Sequence, residues 1–159
     1  MLRAGGDGRW RSDLARVVTG ALVAAAVGIS LAAMRGAMPE SLSAAGGWQP
    51  WSEAAVARAR SAGRPVFVDF TAAWCLTCKV NEAVALDTRD VNRALKAKKV
   101  ALFKADWTNP DPEIERALAS FGRNGVPLYV LYPADPAVPP KLLPQILTPG
   151  LLLTELERL

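Results

Sequence analysis

The chain has 159 residues, which allows one ordinary domain and an appendage, and it carries 19 basic and 15 acidic residues for a net charge of +4. Half of that excess lies in the first forty residues, where five arginines face three acids, so the remainder is too weakly basic to indicate nucleic-acid binding. The chain has no histidine, which excludes Cys–His and Ser–His nucleophile pairs. With only two cysteines, a structural zinc site would need ligands from several chains. We therefore expect no metal and no cofactor.

The chain begins with a basic segment followed by a long apolar run. Residues 1–16 carry four arginines, and residues 17–34 are uncharged and dominated by Ala, Val and Leu. As a helix this run spans roughly 27 Å, close to the ~30 Å core of a bilayer, which favours a transmembrane anchor. The alternatives are a cleaved signal peptide, whose nearest small-residue site lies downstream at residues 43–45, and a buried soluble helix. Because the arginines precede the run, we expect residues 1–16 in the cytoplasm and the rest to be exported.

Residues 35–50 are rich in Gly, Ala, Ser and Pro and predict a flexible linker, and the folded domain, assigned to residues 51–159, begins near Trp48 or Trp51. Its predicted elements are a helix capped by Ser52 that runs to about Ala62, a strand from Val66, the helix that carries the cysteines, a helix from Thr88 or Asp90 to Lys98, a strand over 100–105, a helix from Pro112 to Phe121, a strand over 128–132, a short strand near 143–147 and a last helix from Pro149. This order predicts an α/β fold with a mixed central sheet covered by helices on both faces.

The stretch from Val66 to Lys79 holds the only two cysteines, Cys75 and Cys78, where an apolar strand passes through a short turn into a helix. In the first helical turn, unpaired backbone N–H groups and the helix dipole favour the thiolate of the first sulfur. That thiolate is the nucleophile of disulfide exchange, and the second sulfur can close the ring and release the partner. The spacing predicts a dithiol–disulfide exchanger rather than a structural disulfide, whose short loop would restrain little chain. The apolar positions of this helix are predicted to be Val80, Val84 and Leu86.

Two acids lie close to the cysteines in the sequence. Asp69 stands inside the apolar strand, where burial raises a carboxyl pKa, unless the residue lies at a sheet edge and faces water. Glu82 lies one turn beyond Cys78 and can share that helix face, or it is an ordinary surface glutamate. Lys104, in the next strand, either pairs with Asp69 or is exposed.

A tryptophan and a proline are candidates for contact with a partner protein. Trp74 precedes the first cysteine, and it either covers the active-site surface or belongs to the core. The Val126–Pro127 bond stands before a predicted strand, where it is either trans at the start of an edge strand or cis in a functional loop. Trp107 is predicted to be structural.

These motifs resemble the thioredoxin superfamily. Val-Asp-Phe-x-Ala-x-Trp-Cys-x-x-Cys-Lys, over residues 68–79, and Gly-Val-Pro before a strand are similar to thioredoxin. Three longer runs, at residues 70–82, 104–108 and 121–129, resemble the C-terminal periplasmic domain of the thiol:disulfide interchange protein family DsbD. The resemblance covers residues 48–159. It departs from the family in one respect, since DsbD carries a multi-span membrane domain whereas a single candidate span precedes the domain here.

The resemblance implies a thioredoxin fold and a set of site residues. Asp69 would lie beneath Cys78 and exchange protons with it, and Glu82 would act as a second acid on the cysteine pKa values. A cis Pro127 would lie opposite the cysteines and leave the backbone of Val126 free to pair with an extended partner segment.

We therefore expect a protein-disulfide reductase held by one helix in the bacterial inner membrane, with its catalytic domain in the periplasm. Cys75 would attack the partner and Cys78 would resolve the mixed disulfide. Electrons would arrive from a DsbD-type or CcdA-like membrane domain and leave to periplasmic thiol-disulfide proteins, with a link to cytochrome c biogenesis. A redox-silent binding module and a disulfide-forming oxidase are the alternatives. The lack of positive charge between the cysteines favours a reducing potential.

Overall fold

The structure, a computed structural model, describes residues 47–159. The predicted segment 1–16, the predicted anchor 17–34 and most of the predicted linker lie outside the described residues. Within residues 47–159 no helix combines the length and the apolar character needed to cross a bilayer. The elements are, in chain order, β1 (Gln49–Pro50), α1 (Glu53–Ser61), β2 (Val66–Thr71), α2 (Leu76–Asn81), a π-helical turn (Glu82–Leu86), α3 (Arg89–Ala97), β3 (Ala101–Asp106), α4 (Pro112–Ser120), β4 (Leu128–Tyr132), β5 (Lys141–Leu143) and α5 (Pro149–Glu157).

The strands form one sheet in the order β1-β3-β2-β4-β5. Strands β1, β3 and β2 run parallel to one another, whereas β4 and β5 are each antiparallel to the strand before them in this order. Every residue of the central strand β2 is buried. A parallel strand covered by helices on both faces reads as a nearly continuous apolar run, which is the pattern from which it was predicted. The predicted α/β fold with a mixed sheet is therefore confirmed.

Successive residues of β2 point to opposite faces of the sheet and so contribute to two separate cores. Phe67 packs in the core formed with the π-helical turn, α3 and α5. Val66, Val68 and Phe70 pack in the core formed with α1 and α4. By the same alternation Asp69 lies on the Phe67 face, so its carboxyl is directed toward the helices that follow the cysteines.

The helix starts follow from the sequence. Ser52, Asp111 and Thr148 each accept a backbone N–H from the first turn of α1, α4 and α5, respectively, and a proline opens both α4 and α5. Thr88 occupies the N-cap position of α3, but its hydroxyl donates to the carbonyl of Ala85 at 3.0 Å and caps nothing.

The structure corrects the predicted apolar face of the helix after the cysteines. Val80 and Val84, expected on the buried side, are 50 % and 52 % exposed, whereas Asn81 is buried. Cys78 lies on the buried side of the helix. Val80, two positions later, lies ~200° around the helix from Cys78, because each residue turns by ~100°. The prediction for Leu86 is confirmed, since this residue is buried in the π-helical turn.

Two element boundaries also differ from the predictions. Gln49–Pro50, assigned to the flexible linker, pairs with β3 as strand β1, and the ring of Trp48 packs edge-on against the core. The strand predicted near residues 143–147 instead ends at Leu143. It stops there because Pro144 has no backbone N–H to donate to a neighbouring strand.

Candidate active site

Cys75 and Cys78 lie where β2 leads into α2, and they form a disulfide bond. Cys75 holds the N-cap position of α2, and the backbone N–H of Cys78 donates to its Sγ at 3.2 Å. The first sulfur therefore lies next to an N–H group of the first helical turn, as the spacing predicts. Cys78 is completely buried, whereas Cys75 keeps 6 % of its surface exposed. Cys75 is thus the more accessible of the two sulfurs.

The loop before β4 lies against the cysteines. Val126 packs against the cluster formed by Ala72, Cys75 and Cys78. The Val126–Pro127 peptide bond is cis, as the resemblance to thioredoxin implies. Val126 is partly exposed and Pro127 is buried. The structure therefore brings both cysteines and Val126 together at one place.

Trp74 is 60 % exposed beside the cysteines, so it lies on the surface and not in the core. Its indole Nε1 donates to the carbonyl of Thr108 at 3.3 Å, and its ring meets Trp107 edge-on with the centroids 6.1 Å apart. The hydroxyl of Thr108 accepts the backbone N–H of Ala73 at 2.8 Å. The loop that follows β3 therefore supports the turn that leads to the cysteines.

Asp69 is completely buried in β2, which excludes the position at a sheet edge. In the register of the sheet it lies between Lys104 of β3 and Tyr129 of β4. Neither carboxylate oxygen has a hydrogen-bond partner within residues 47–159, and the Lys104 ammonium lies 4.0 Å from Oδ2. Burial outweighs the attraction of Lys104 and raises the pKa of Asp69 to about 7. Asp69 is therefore a carboxyl group that takes up and releases a proton near neutral pH.

Lys104 was expected either to pair with Asp69 or to be exposed. It lies near Asp69 and also contacts Glu82. Its Nζ donates to Glu82 Oε1 at 2.8 Å, and Lys79 donates to Glu82 Oε2 at 3.1 Å. Burial alone raises the pKa of Glu82, but the hydrogen bonds from the two lysines outweigh it and hold this pKa below its usual value. Burial lowers the pKa of Lys104, but the two carboxylates outweigh it and the pKa rises. Glu82 is therefore an ionised carboxylate held between two lysines.

Asn81 fastens the end of α2 to the sheet and to a distant loop. Its side-chain amide donates to the hydroxyl of Tyr129 at 3.0 Å and to the carbonyl of Gln145 at 2.7 Å. Its side-chain oxygen accepts the backbone N–H of Leu147 at 3.1 Å. Because Asn81 is 1 % exposed, these three bonds are shielded from water and fix where α2 lies over the sheet.

The sequence analysis missed both Asn81 and Thr108. A signal for Asn81 was present, because a residue three positions after a buried Cys78 lies on the same helix face, where a polar side chain needs a partner. No local pattern identifies Thr108, whose contacts with the Trp74 turn join residues 34 and 35 positions apart. In the part of the chain from Gly47 onward, no three potential metal-binding side chains lie together.

Comparison with known proteins places this geometry in context. Residues 47–134 match a family model described as Thioredoxin-like. The chain is 41 % identical over 58 residues to the thiol:disulfide interchange protein DsbD 1 of Pseudomonas aeruginosa. These 58 residues are 36 % of this chain and 10 % of that protein. It is also 35 % identical over 81 residues to DsbD of Ralstonia nicotianae, and these residues are 51 % of this chain and 13 % of that protein.

A solved structure agrees with these matches. The crystal structure of the reduced C-terminal domain of DsbD from Neisseria meningitidis superposes with a TM-score of 0.54 at 24 % identity, covering 67 % of this chain and 96 % of that chain. At this identity the likeness supports the fold. The predicted resemblance to the C-terminal domain of DsbD is confirmed, and the chain spans 10 % to 13 % of the length of these two curated relatives.

Proposed function

The chain belongs to the thioredoxin-like family, and we propose that residues 47–159 form a thiol-disulfide oxidoreductase of the DsbD type. The observation that carries this proposal is the disulfide-bonded pair Cys75 and Cys78, which lies at the start of α2 with the Val126–Pro127 loop packed against it. The two curated relatives, which match 58 and 81 residues of this chain, are named as thiol:disulfide interchange proteins.

The reaction starts from the dithiol form. The Cys75 thiolate attacks one sulfur of a partner's disulfide, and the partner's other sulfur leaves as a thiolate. Cys78 then loses its proton and attacks the Cys75 sulfur, so the mixed disulfide breaks and the second partner sulfur leaves. Two electrons have passed to the partner, which ends as a dithiol after taking up two protons. The protein ends with the Cys75–Cys78 disulfide that the structure contains.

Asp69 is our candidate for the group that accepts the Cys78 proton. Its carboxyl lies on the sheet face directed toward the helices after the cysteines, and its pKa of about 7 matches proton exchange at neutral pH. Glu82 is a second acid on the same face, held by Lys79 and Lys104. We propose that Glu82 acts on the site through its charge and not by contact with the reacting sulfurs.

Trp74, Val126 and Pro127 form the proposed partner-binding surface. Trp74 offers an exposed aromatic face beside Cys75, and Val126 packs against the cysteine cluster. A partner segment that pairs with the backbone of Val126 would present its disulfide to Cys75, in the manner of strand addition.

The cellular setting of this activity is also a proposal. We propose that the apolar run at residues 17–34 anchors the chain in the bacterial inner membrane and that the catalytic domain lies in the periplasm. Electrons would reach it from a DsbD-type or CcdA-like membrane domain and pass to periplasmic thiol-disulfide proteins, including those that serve cytochrome c biogenesis. The supporting observations are the length of the run and the likeness to DsbD.

Reduction of a disulfide-bonded model substrate such as insulin tests the proposal. We expect the reduced protein to be active, Cys75→Ser to be inactive, and Ser120→Ala, a change at an exposed hydroxyl far from the cysteines in sequence, to retain activity. A wild-type protein without reductase activity would favour the redox-silent binding module.

The reduction potential of the Cys75–Cys78 pair separates a reductase from an oxidase. We expect a potential below about −200 mV in glutathione buffers, whereas a value near −120 mV would favour the oxidase.

A further inference from the structure

Most of the exposed large apolar side chains lie close to the cysteines. Within residues 47–159 seven such side chains are exposed, and five of them belong to the segment that carries the cysteines or to the loop bonded beside it. These five are Trp74, Leu76, Val80, Val84 and Ile146. The other two, Val138 and Leu142, lie in the turn before β5 and in β5 itself. Single exposed apolar residues are normal on a protein surface, whereas a cluster of them marks an interaction site.

Leu76, Val80 and Val84 form a row along α2 and the π-helical turn that we call the outer stripe. They recur every fourth residue. At ~100° and ~1.5 Å per residue they lie within ~80° of one another around the helix and extend over ~12 Å. Cys78 and Asn81 lie on the buried side, so the outer stripe faces away from the core.

The outward side of this helix carries little charge. Residues 76–86 hold only two charged side chains, Lys79 and Glu82, which bind each other at 3.1 Å. The residues that flank the outer stripe around the helix, Thr77 and Ala83, are uncharged. An ordinary surface helix keeps polar residues on its outward face, and a helix that is apolar on both faces is typical of one covered on both sides. Whatever covers the outer stripe must therefore be apolar and uncharged itself.

Ile146 adds a second side to this surface. The side chain of Asn81 donates to the carbonyl of Gln145 and accepts the N–H of Leu147, so Ile146, between them, is held beside the helix. The Ile146 side chain is nevertheless 65 % exposed. Because Asn81 is buried and fixes this loop, Ile146 is already in place before a partner arrives, which lowers the entropic cost of binding.

The molecule placed to cover this surface is the partner whose disulfide reaches Cys75. Exchange joins the Cys75 sulfur to a partner sulfur. Leu76, the next residue, is 77 % exposed and begins the outer stripe at that point, so the stripe is continuous with the surface that the partner must cover.

We propose that the outer stripe and Ile146 form a docking face for a helix of the partner protein, which carries its own apolar stripe beside the cysteine that Cys75 attacks. Side chains four positions apart make a ridge that packs into the groove of another helix. This inference rests on the oxidoreductase proposed above and adds the class of its substrate. That substrate is a folded protein with an apolar helix next to its disulfide, in contrast to a small charged disulfide such as oxidised glutathione.

NMR of the valine and leucine methyl groups in the oxidised full-length protein measures docking without chemistry. The probe is a synthetic helical peptide with a leucine stripe and with serine in place of its cysteine. The control peptide has the same composition with its leucines spread around the helix. The stripe peptide should shift the methyl signals of Val80 and Val84 and leave those of Val138 unchanged. Equal shifts from both peptides, or none from the stripe peptide, overturn the proposal.

Reduction rates then measure what docking contributes to exchange. Both peptides now carry a cysteine as a mixed disulfide with thionitrobenzoate. The reduced protein gives up two electrons as its Cys75–Cys78 disulfide forms, and the peptide thiol and the coloured thionitrobenzoate are released. The wild type should reduce the stripe peptide at least about tenfold faster than the control peptide, because docking buries several apolar side chains.

Substitutions on the docking face should remove this preference. In the double variant Val80→Ser, Val84→Ser the ratio of the two rates should fall to near one, and Ile146→Ser should lower the ratio by less. The matched controls are Val138→Ser and Leu142→Ser, at the exposed apolar residues outside this surface, and both should keep the wild-type ratio. If the double variant does not fold, the two single variants give the same comparison.

Several outcomes would overturn the docking face. A wild-type ratio near one, or a double variant that keeps the wild-type ratio, removes it. Methyl signals of Val80 and Val84 that move when the protein is diluted without peptide would assign the outer stripe to a second copy of the chain. In phosphatidylcholine nanodiscs, broadening of these signals by a spin-labelled lipid, stronger than that of Val138, would assign it to the membrane surface.

The NMR measurement involves no disulfide, so it succeeds or fails independently of the insulin assay. A protein that binds the stripe peptide but reduces no disulfide would refute the oxidoreductase and leave the docking face intact. A reductase that treats the two peptides alike would refute the docking face alone.

Discussion

Replacing Asp69 with asparagine should remove a pH-dependent loss of stability. Burial raises the pKa of this carboxyl from 3.8 to about 7, a difference of about three pH units. Each unit corresponds to ~1.36 kcal/mol, so ionising Asp69 inside the folded protein costs on the order of 4 kcal/mol. Asparagine has nearly the same shape and stays neutral at every pH, so the variant carries no such cost.

The sign follows from the protons bound by each state. Below about pH 4 the folded and unfolded chains both hold the Asp69 proton, and the cost is absent. Between about pH 4 and pH 7 the unfolded chain releases this proton while the folded protein keeps it, so the free energy of unfolding falls as pH rises. Above about pH 7 the cost is complete, because the folded protein has also become ionised.

Urea unfolding of the oxidised protein at several pH values between about 4 and 8 measures this effect. The difference in free energy of unfolding between wild type and Asp69→Asn cancels most other titrations, and it should change by on the order of 4 kcal/mol across the range. Asp90→Asn, at an exposed aspartate paired with Arg93 at 3.2 Å, should follow wild type. A wild-type minus Asp69→Asn difference that stays constant with pH would refute the reasoning.

Three further predictions concern the nucleophile, the helix anchor and the topology. Cys78→Ser should accumulate a mixed disulfide through Cys75 on non-reducing gels, and Cys75→Ser should accumulate little; equal trapping by both would contradict the assignment. Asn81→Ala should lower the free energy of unfolding by about 2–4 kcal/mol in urea titrations, because it leaves buried polar groups unpaired; an effect as small as that of exposed Asn109→Ala would mean that these three bonds contribute little. A reporter fused after Leu159 should be active only on the exported side, with the uncleaved product in the membrane fraction; a shortened soluble product would instead support a cleaved signal peptide.

The parts of the fold and site that the sequence predicted well depend on short-range patterns. Strand β2 was recognisable because a strand covered on both faces has apolar residues throughout. The cysteine pair at a helix start and the cis Val126–Pro127 bond came from local motifs and from the resemblance they carry. The apolar neighbours of Asp69 in the strand favoured its burial, but the sequence left a position at a sheet edge open, and the structure excludes it.

The parts that were missed depend on contacts between distant residues. The bonds of Asn81 reach Tyr129 and Leu147, which lie 48 and 66 positions away, so no window of sequence contains both ends. Val80 and Val84 were misplaced because apolar character alone chose the helix face, whereas the disulfide and Asn81 decide which face is buried. The sharing of Lys104 between two acids likewise requires the β2–β3 register, which the sequence does not specify.

The attachment of Asn81 to residues 145 and 147 has a consequence for how the chain tolerates insertions. Within residues 47–159 the segment between β5 and α5 pairs with no strand, and Asn81 supplies the bonds that a neighbouring strand would give. Lengthening this segment would therefore pull on the helix that holds the cysteines. The turn between β4 and β5 has hydrogen bonds of its own around Asp135, and exposed bonds from Arg60 to the carbonyls of Asp135 and Val138 hold it to the domain surface. Extra residues added there would be absorbed at the surface, which makes that turn the place for a label or a fused domain.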